Sequence, residues 1–280
     1  MTLERLLSRQ WWKTTLLVIL AVVVMVRLGI WQLDRLAQRK AFNSRVEAQL
    51  AEPLLEMTST NLALDLHNME YRDVIVSGEY DHEHQVVLRN QDWQGRLGVN
   101  LLTPLVIDGS EQSVLVNRGW VPYEDFTAGE LAQYDEPGVV EVKGVIRRSQ
   151  TKPMIGGQED QIPGPGGPPL VAWYWINING ISGQIPYDLL PVYLHSSPDP
   201  TKEELPYRSQ PELELTEGSH LGYAFQWFTF AAILGIGYPF YIRKEEARAA
   251  NSAKKGAPYI QEKDSAQSDQ DGENKGYEKA

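Results

Sequence analysis

The stretch His220-Leu-Gly-Tyr-Ala-Phe-Gln-Trp-Phe-Thr-Phe-Ala-Ala-Ile-Leu-Gly-Ile-Gly-Tyr-Pro-Phe-Tyr-Ile242 holds no Asp, Glu, Lys or Arg before Arg243. An apolar run of about 20 residues, rising ~1.5 Å per residue, crosses a hydrocarbon layer about 30 Å thick as a helix. Tyr223, Phe225, Trp227 and Phe228 crowd one end, and Tyr238, Phe240 and Tyr241 close the other, as interface belts do. Arg243 and Lys244 read as a cytoplasmic anchor. At helical spacing His220, Ala224, Trp227, Ala231 and Gly235 share one side. That side is mostly small below the histidine. It suits close packing of Ala231 and Gly235 on a second helix with His220 capping the interface, and equally leaves room for a flat ligand.

A second apolar run, Thr14 to Val26, lies near the N-terminus, with Trp11 and Trp12 before it and Trp31 after it. Arg27 interrupts its outer end, where a long side chain snorkels to the interface. No small-residue cleavage site follows Val26, so the run reads as an uncleaved anchor rather than a signal peptide. Basic residues precede the first span (Arg5, Arg9, Lys13) and follow the second, which places both termini in the cytoplasm and the central domain outside. Arg35, Arg39, Lys40 and Arg45 run against this pattern. The N-terminus lacks a long transit-peptide stretch, so a bacterial cytoplasmic (inner) membrane is the simpler home.

Between the spans the pattern changes twice. Gly29 to Ala51 continues as a helical arm, with Ile30, Leu33, Leu36, Ala37 and Ala41 at three- and four-residue steps, ended by Pro53. From Tyr71 the period is strand-like. Strands are expected at 71–80, 85–89, 99–103 (ended by Pro104), 113–117, 139–146, 173–178 and 191–195, with a hairpin turn at Asp108-Gly109 and a short helix at 126–134. This spacing predicts a mainly antiparallel sheet or open barrel. Residues 153–169 form a Pro/Gly-rich surface loop and 197–211 a polar return to the membrane. The reading divides the chain into a cytoplasmic N-terminus (1–13), span one (14–33), an extracytoplasmic β-rich domain with its helical lead-in (34–219), span two (220–242) and a disordered acidic tail (243–280).

Composition narrows the function. Net charge is −11 over 280 residues, which argues against nucleic acid. There is no cysteine, hence no disulfide, thiolate metal site or thiol nucleophile. P-loop, dinucleotide and nucleophile-elbow motifs are absent. Among the five histidines, His82 and His84 stand two apart, half of a metal site at best and better read as a solvated turn beside Asp81 and Glu83. His67 and His195 have no evident partner. The residues describe a two-span membrane protein rather than an enzyme.

Three motifs sharpen this. Gly29-Ile-Trp-Gln-Leu-Asp-Arg35 closes the first span, Asn117-Arg-Gly-Trp-Val-Pro122 sits mid-domain, and His220-Leu-Gly-Tyr-Ala-Phe-Gln-Trp-Phe228 opens the second span. In this order, with Tyr71-Arg72 and Gly78-x-Tyr80 between them, they resemble the surfeit-locus-one family of cytochrome c oxidase assembly proteins over roughly Trp12 to Lys244. The resemblance implies a non-enzymatic assembly factor that binds haem a transiently and aids its delivery to the oxidase catalytic subunit, with haem a synthase, other assembly factors and membrane lipids as further partners. It implies His220 as axial ligand of the haem iron, with Tyr223 and Trp227, beside Phe228, packing on the porphyrin. Arg35 would meet a haem propionate or a lipid phosphate. Gln32 would hydrogen-bond the second span and Gly29 would permit close helix contact. Asn117-Arg118-Gly119 reads as a strand ending in a turn, with Arg118 facing an acidic loop or a propionate. The alternative is a cofactor-free, membrane-tethered scaffold, sensitive at domain surfaces such as Trp120. The family pattern does not explain the acidic tail.

Overall fold

A computed structural model describes residues 8–150, 156–164, 167–200, 204–209 and 213–255. The chain folds as two compact units, one from residues 1–36 with 218–280, the other from 37–217.

The first unit is a helix pair. Helix α1 (Trp12–Ala51) and helix α4 (His220–Lys255) are both long and apolar enough to cross a membrane, with mean hydropathies of 2.4 and 1.2 over their most apolar stretches. Their apolar side chains mostly face outward, Leu16 being 60% exposed and Phe225 75%. Among the described residues of this unit only a narrow seam is buried, formed by Thr15, Gly29 and Leu36 on α1 and by Ala224, Ala231 and Ile242 on α4. Of the small face expected on the second span, Ala224 and Ala231 enter the seam and Gly235 stays exposed at its edge. A Cβ on Gly29 would stand 2.7 Å from the Phe228 ring, and one on Gly235 would stand 3.9 Å from Val22 Cγ2. Further along, the Thr15 and Tyr238 hydroxyls are hydrogen-bonded at 2.9 Å. Two boundaries differ from expectation. Helix α1 passes without a break from span into arm, and α4 continues past Arg243 to Lys255 because the Glu/Arg/Ala-rich stretch after Arg243 is itself helix-forming. The segment expected to be disordered therefore begins as helix. Residues 256–280 and the first seven lie outside the described residues.

In the second unit the outer part of α1 rests on the β domain. Val46 is fully buried, Phe42 meets Tyr71 edge-on at 5.9 Å, and Asn43 Nδ2 donates to the Leu215 carbonyl at 2.8 Å. Arg39 donates to the carbonyls of Glu214 and Thr216. The return segment is thus tied to the arm.

The domain has eight strands: β1 (Leu55–Met57), β2 (Asp73–Tyr80), β3 (Val86–Trp93), β4 (Arg96–Ile107), β5 (Ser113–Pro122), β6 (Val139–Arg148), β7 (Ala172–Trp173) and β8 (Leu189–Ser196). The order is β1-β2-β6-β8-β5-β4-β3-β7, and β2 also pairs with β4, which closes β2, β6, β8, β5 and β4 into a barrel-like ring. Within the ring the pairings are antiparallel, as expected, except β5–β8, which is parallel, as are the short outer pairs β1–β2 and β3–β7. The long excursion between β5 and β8 provides the crossover a parallel pair needs. Val74, Val76, Leu105, Ile107, Val114, Val116, Val142, Ile146, Val192 and Leu194 share one core. Strand β5 is buried along its whole length because both faces are covered. Val114 and Val116 face this core, while Leu115 faces a second one with Trp173, Ile176 and Ile181.

Four local expectations change. Pro104 does not end its strand, because β4 continues to Ile107. Its missing N–H falls where the neighbour of β4 switches from β3, paired as far as Leu102, to β2, paired from Leu105. The helix expected at 126–134 is instead α2 (Tyr123–Ala128) followed by a 3₁₀ turn (Leu131–Tyr134), separated by the left-handed Gly129. Strand character stops at Trp173. Asp160 accepts from the amides of Tyr174 and Trp175, Gln150 and Ser149 accept from those of Ile176 and Ile178, and Asn177 caps the short helix α3 (Ile178–Ser182). Side chains have taken the place of a neighbouring strand.

The fourth change concerns Asn117-Arg118-Gly119, which is a bulge inside β5 and not its end. Leu101 pairs with Gly119 and Leu102 with Asn117, leaving Arg118 as the extra residue. Gly119 has φ +128°, and a Cβ there would lie 2.6 Å from the Tyr207 carbonyl oxygen. Gly119→Ala is therefore expected to cost about 2 kcal/mol or more of domain stability. Denaturant unfolding followed by tryptophan fluorescence measures this, and an unchanged midpoint would refute the account of the bulge.

Candidate functional site

Helix α4 begins at His220, so its first turn sits at the end of the helix seam. On α1, Gln32 lies one turn beyond Gly29 on the same face. The close approach at Gly29 brings the Gln32 side-chain oxygen to 2.8 Å from His220 Nδ1. Both sequence expectations for this motif are met: Gly29 permits the contact and Gln32 bonds the second helix. His220 is half-buried, and Gly218 borders its Cδ2–Nε2 edge.

The other residues expected at this site are spread around it. Tyr223 is 50% exposed. Trp227 is partly buried and meets Phe230, on its own helix, edge-on at 6.3 Å. Arg35 lies over the Trp31 ring at 5.6 Å, which holds its guanidinium along α1. The firm pairing among these residues is His220 with Gln32. An imidazole with one nitrogen held by an acceptor and no described residue bonded to the other is a donor that suits haem iron.

Asn117, Arg118, Gly119 and Trp120 of the mid-domain motif are all engaged in contacts within the domain. Asn117 Oδ1 accepts from the Gly119 amide at 3.2 Å, bracing the bulge, and its Nδ2 donates to His195 Nδ1. His195 Nε2 then donates to the Ser209 carbonyl, and burial of this ring holds its basicity below that of an ordinary imidazole. Arg118 has no exposed surface. It donates to Gln85 Oε1 at 3.1 Å, to Glu136 Oε1 at 3.0 Å and to the Tyr134 carbonyl, and lies over the Tyr80 ring at 4.7 Å. Burial pushes the Tyr80 hydroxyl up to about 12 against the opposing charge of Arg118. Of the two alternatives for Arg118, the acidic loop is the one observed. Trp120 is not a surface probe, being 2% exposed. It stacks with Trp93 and Tyr207, and its indole donates to the Gln91 carbonyl.

The two spaced histidines do not converge on a metal site. His82 sits 3.1 Å from Asp135 and accepts from the Glu136 amide, while His84 Nδ1 donates to Asp81 at 2.7 Å. They are part-buried rather than solvated, and each braces a different loop. Burial would raise the Asp81 carboxyl. Bonds from the Tyr187 hydroxyl and from the His84 ring and backbone outweigh it and hold the group below its ordinary range.

Sequence reasoning missed a cleft of about 560 Å³ lined by Trp93, Arg96, Glu204, Tyr207 and Arg208 among others. Its lining comes from hairpin β3–β4, from the loop at Gln133–Glu136 and from the return segment, stretches far apart in the chain, and no local spacing signals it.

Among known proteins, the SURF1 family model matches residues 19–232 of this chain. A SURF1-like protein of Rickettsia bellii (strain RML369-C) is 27% identical over 242 residues, covering 84% of this chain and 93% of that protein. A SURF1-like protein of Caenorhabditis elegans is 23% identical over 85% of this chain and 76% of its own length. The Surfeit locus protein 1 of Rattus norvegicus is 24% identical over 73% of this chain and 68% of its own length.

Two outcomes are expected from this geometry. In a chain that has no native cysteine, Val22→Cys with Gly235→Cys should form an intramolecular disulfide, and adding Gly29→Leu should lower its yield, read by peptide mass spectrometry. Absence of the disulfide in the parent pair would contradict the seam. The Asp81 contribution is complete above an ordinary carboxyl pKa of about 4 and is lost as pH falls through the depressed folded value. Asp81→Asn should therefore reduce stability at pH 7 and flatten its fall below about pH 4. Parallel stability–pH curves for the two proteins would count against this.

Proposed function

The chain belongs to the SURF1 family, and on that premise we propose that it is an assembly factor for cytochrome c oxidase that carries haem a toward the catalytic subunit of the enzyme. It does so without catalysing a reaction of its own. The observation that carries this reading is the His220–Gln32 pair at the end of the helix seam. It is an imidazole oriented by one bond, with its other nitrogen bonded to no described residue, beside aromatic side chains able to cover a porphyrin face. Tyr223 and Trp227 supply that cover, and Arg35, held over Trp31, supplies a charge for a propionate. A single imidazole from a half-buried position binds reversibly, which a carrier requires. Haem a synthase and other assembly factors are the partners such a carrier would meet.

The same reading puts both helices across a bacterial inner membrane, both termini in the cytoplasm and the β domain on the periplasmic side. The broad exposed apolar surface of α1 and α4 and the basic residues flanking the spans support this placement.

One observation favours a second reading, a cofactor-free scaffold that grips partner subunits. It is the cleft beside Trp93, Arg96 and Tyr207, whose mixed charge and aromatic shelf suit a protein segment.

The absorption spectrum separates the two. Protein purified in mild detergent from cells making haem a should show a Soret band that His220→Ala, at matched yield, lacks. A colourless wild-type protein would transfer the function to the scaffold, and equal colour in both proteins would move the haem elsewhere.

A further inference from the structure

We propose that Gln32 fixes the tautomer of His220, so that Nε2 is the nitrogen presented to haem iron. The proposal rests on the haem-carrier reading above. The Gln32 side-chain oxygen stands 2.8 Å from Nδ1. An amide oxygen has lone pairs and no hydrogen, so Nδ1 is the donor in this bond. A neutral imidazole carries one N–H, and Nε2 is therefore left with its lone pair. This matches the arrangement found around metal-bound histidines, whose second nitrogen donates to an acceptor that sets the ring direction and raises ligand basicity. Without Gln32 the ring is free to take the Nε2–H form that histidine side chains prefer in water, and a hydrogen then covers the ligating nitrogen.

Two further features fit. The acceptor is uncharged. A carboxylate at the same point beside the apolar span would be costly and would draw more electron density onto the ring, strengthening its hold on the cargo. In addition, a Cβ on Gly218 would lie 3.4 Å from His220 Cδ2 and 3.6 Å from Nε2. Glycine at this position leaves that edge of the ring open to an approaching porphyrin. Gln32 is thus a positioning residue, and Gly29 brings it within reach by admitting Phe228.

The test uses the full chain in detergent, free of haem and labelled with ¹⁵N-histidine, at pH 8, where an ordinary imidazole is neutral. The His220 signals are identified by their loss in His220→Ala. The expected spectrum has a protonated Nδ1 and an unprotonated Nε2 in wild type, reversed in Gln32→Leu. In titrations with haem a extracted from an oxidase, Gln32→Leu should bind about ten-fold more weakly or worse. Gln32→Glu keeps the acceptor. It should bind more tightly than wild type and lower the reduction potential of the bound haem. The disulfide between Val22→Cys and Gly235→Cys verifies that the helix pair persists in each variant. A protonated Nε2 in wild type, or an unchanged tautomer in Gln32→Leu, overturns the proposal even where haem binds normally. A wild type with the Nδ1–H tautomer that takes up no haem a overturns the carrier reading and the ligating role, and leaves the tautomer assignment standing.

Discussion

The absence of a side chain at Gly29 lets the Phe228 ring reach the backbone of α1. The geometry of the helix pair depends on that approach. In lipid, two apolar helices gain nothing by hiding from water, so close packing and interhelical hydrogen bonds hold them together. Gly29 supplies the packing, and the residue one turn further supplies the bond from Gln32 to His220. A side chain at 29 would meet the Phe228 ring at 2.7 Å, so the ring or the helix carrying it must give way. Helix packing and the orientation of His220 therefore share a constraint at this point: what joins the helices also holds the imidazole.

The β domain is organised around a different cost. A guanidinium without exposed surface needs partners for its charge, because an unpaired buried charge is costly; Arg118 finds them through both terminal nitrogens, while its Nε has none. Arg118 reaches that position because the bulge at Asn117–Gly119 inserts one extra residue into β5. Glu136, the Tyr134 carbonyl and Gln85 then close around it, and Arg208 approaches Glu136 from the return segment at 3.8 Å. The network ties strand β5, the loop after the 3₁₀ turn, and the return segment to one point. A motif that looks functional in one dimension is here an assembly joint of the domain.

The sequence by itself determined the two apolar helices, the arm between span and domain, and most strand positions, since hydrophobic period and length are local properties. It also determined the family and the pairing of Gln32 with the second span, because motif order and one-turn spacing on a helix are legible in one dimension. Tertiary structure decided the rest. Pro104 stays inside a strand because β4 changes neighbours there, and Trp175 leaves the sheet because Asp160 satisfies its amide. Trp120 is buried because Trp93 and Tyr207, distant in sequence, meet over it. The parallel β5–β8 pair depends on a long crossover. Each of these outcomes turns on which partner a backbone group or ring finds across the fold, and local pattern carries no record of that choice.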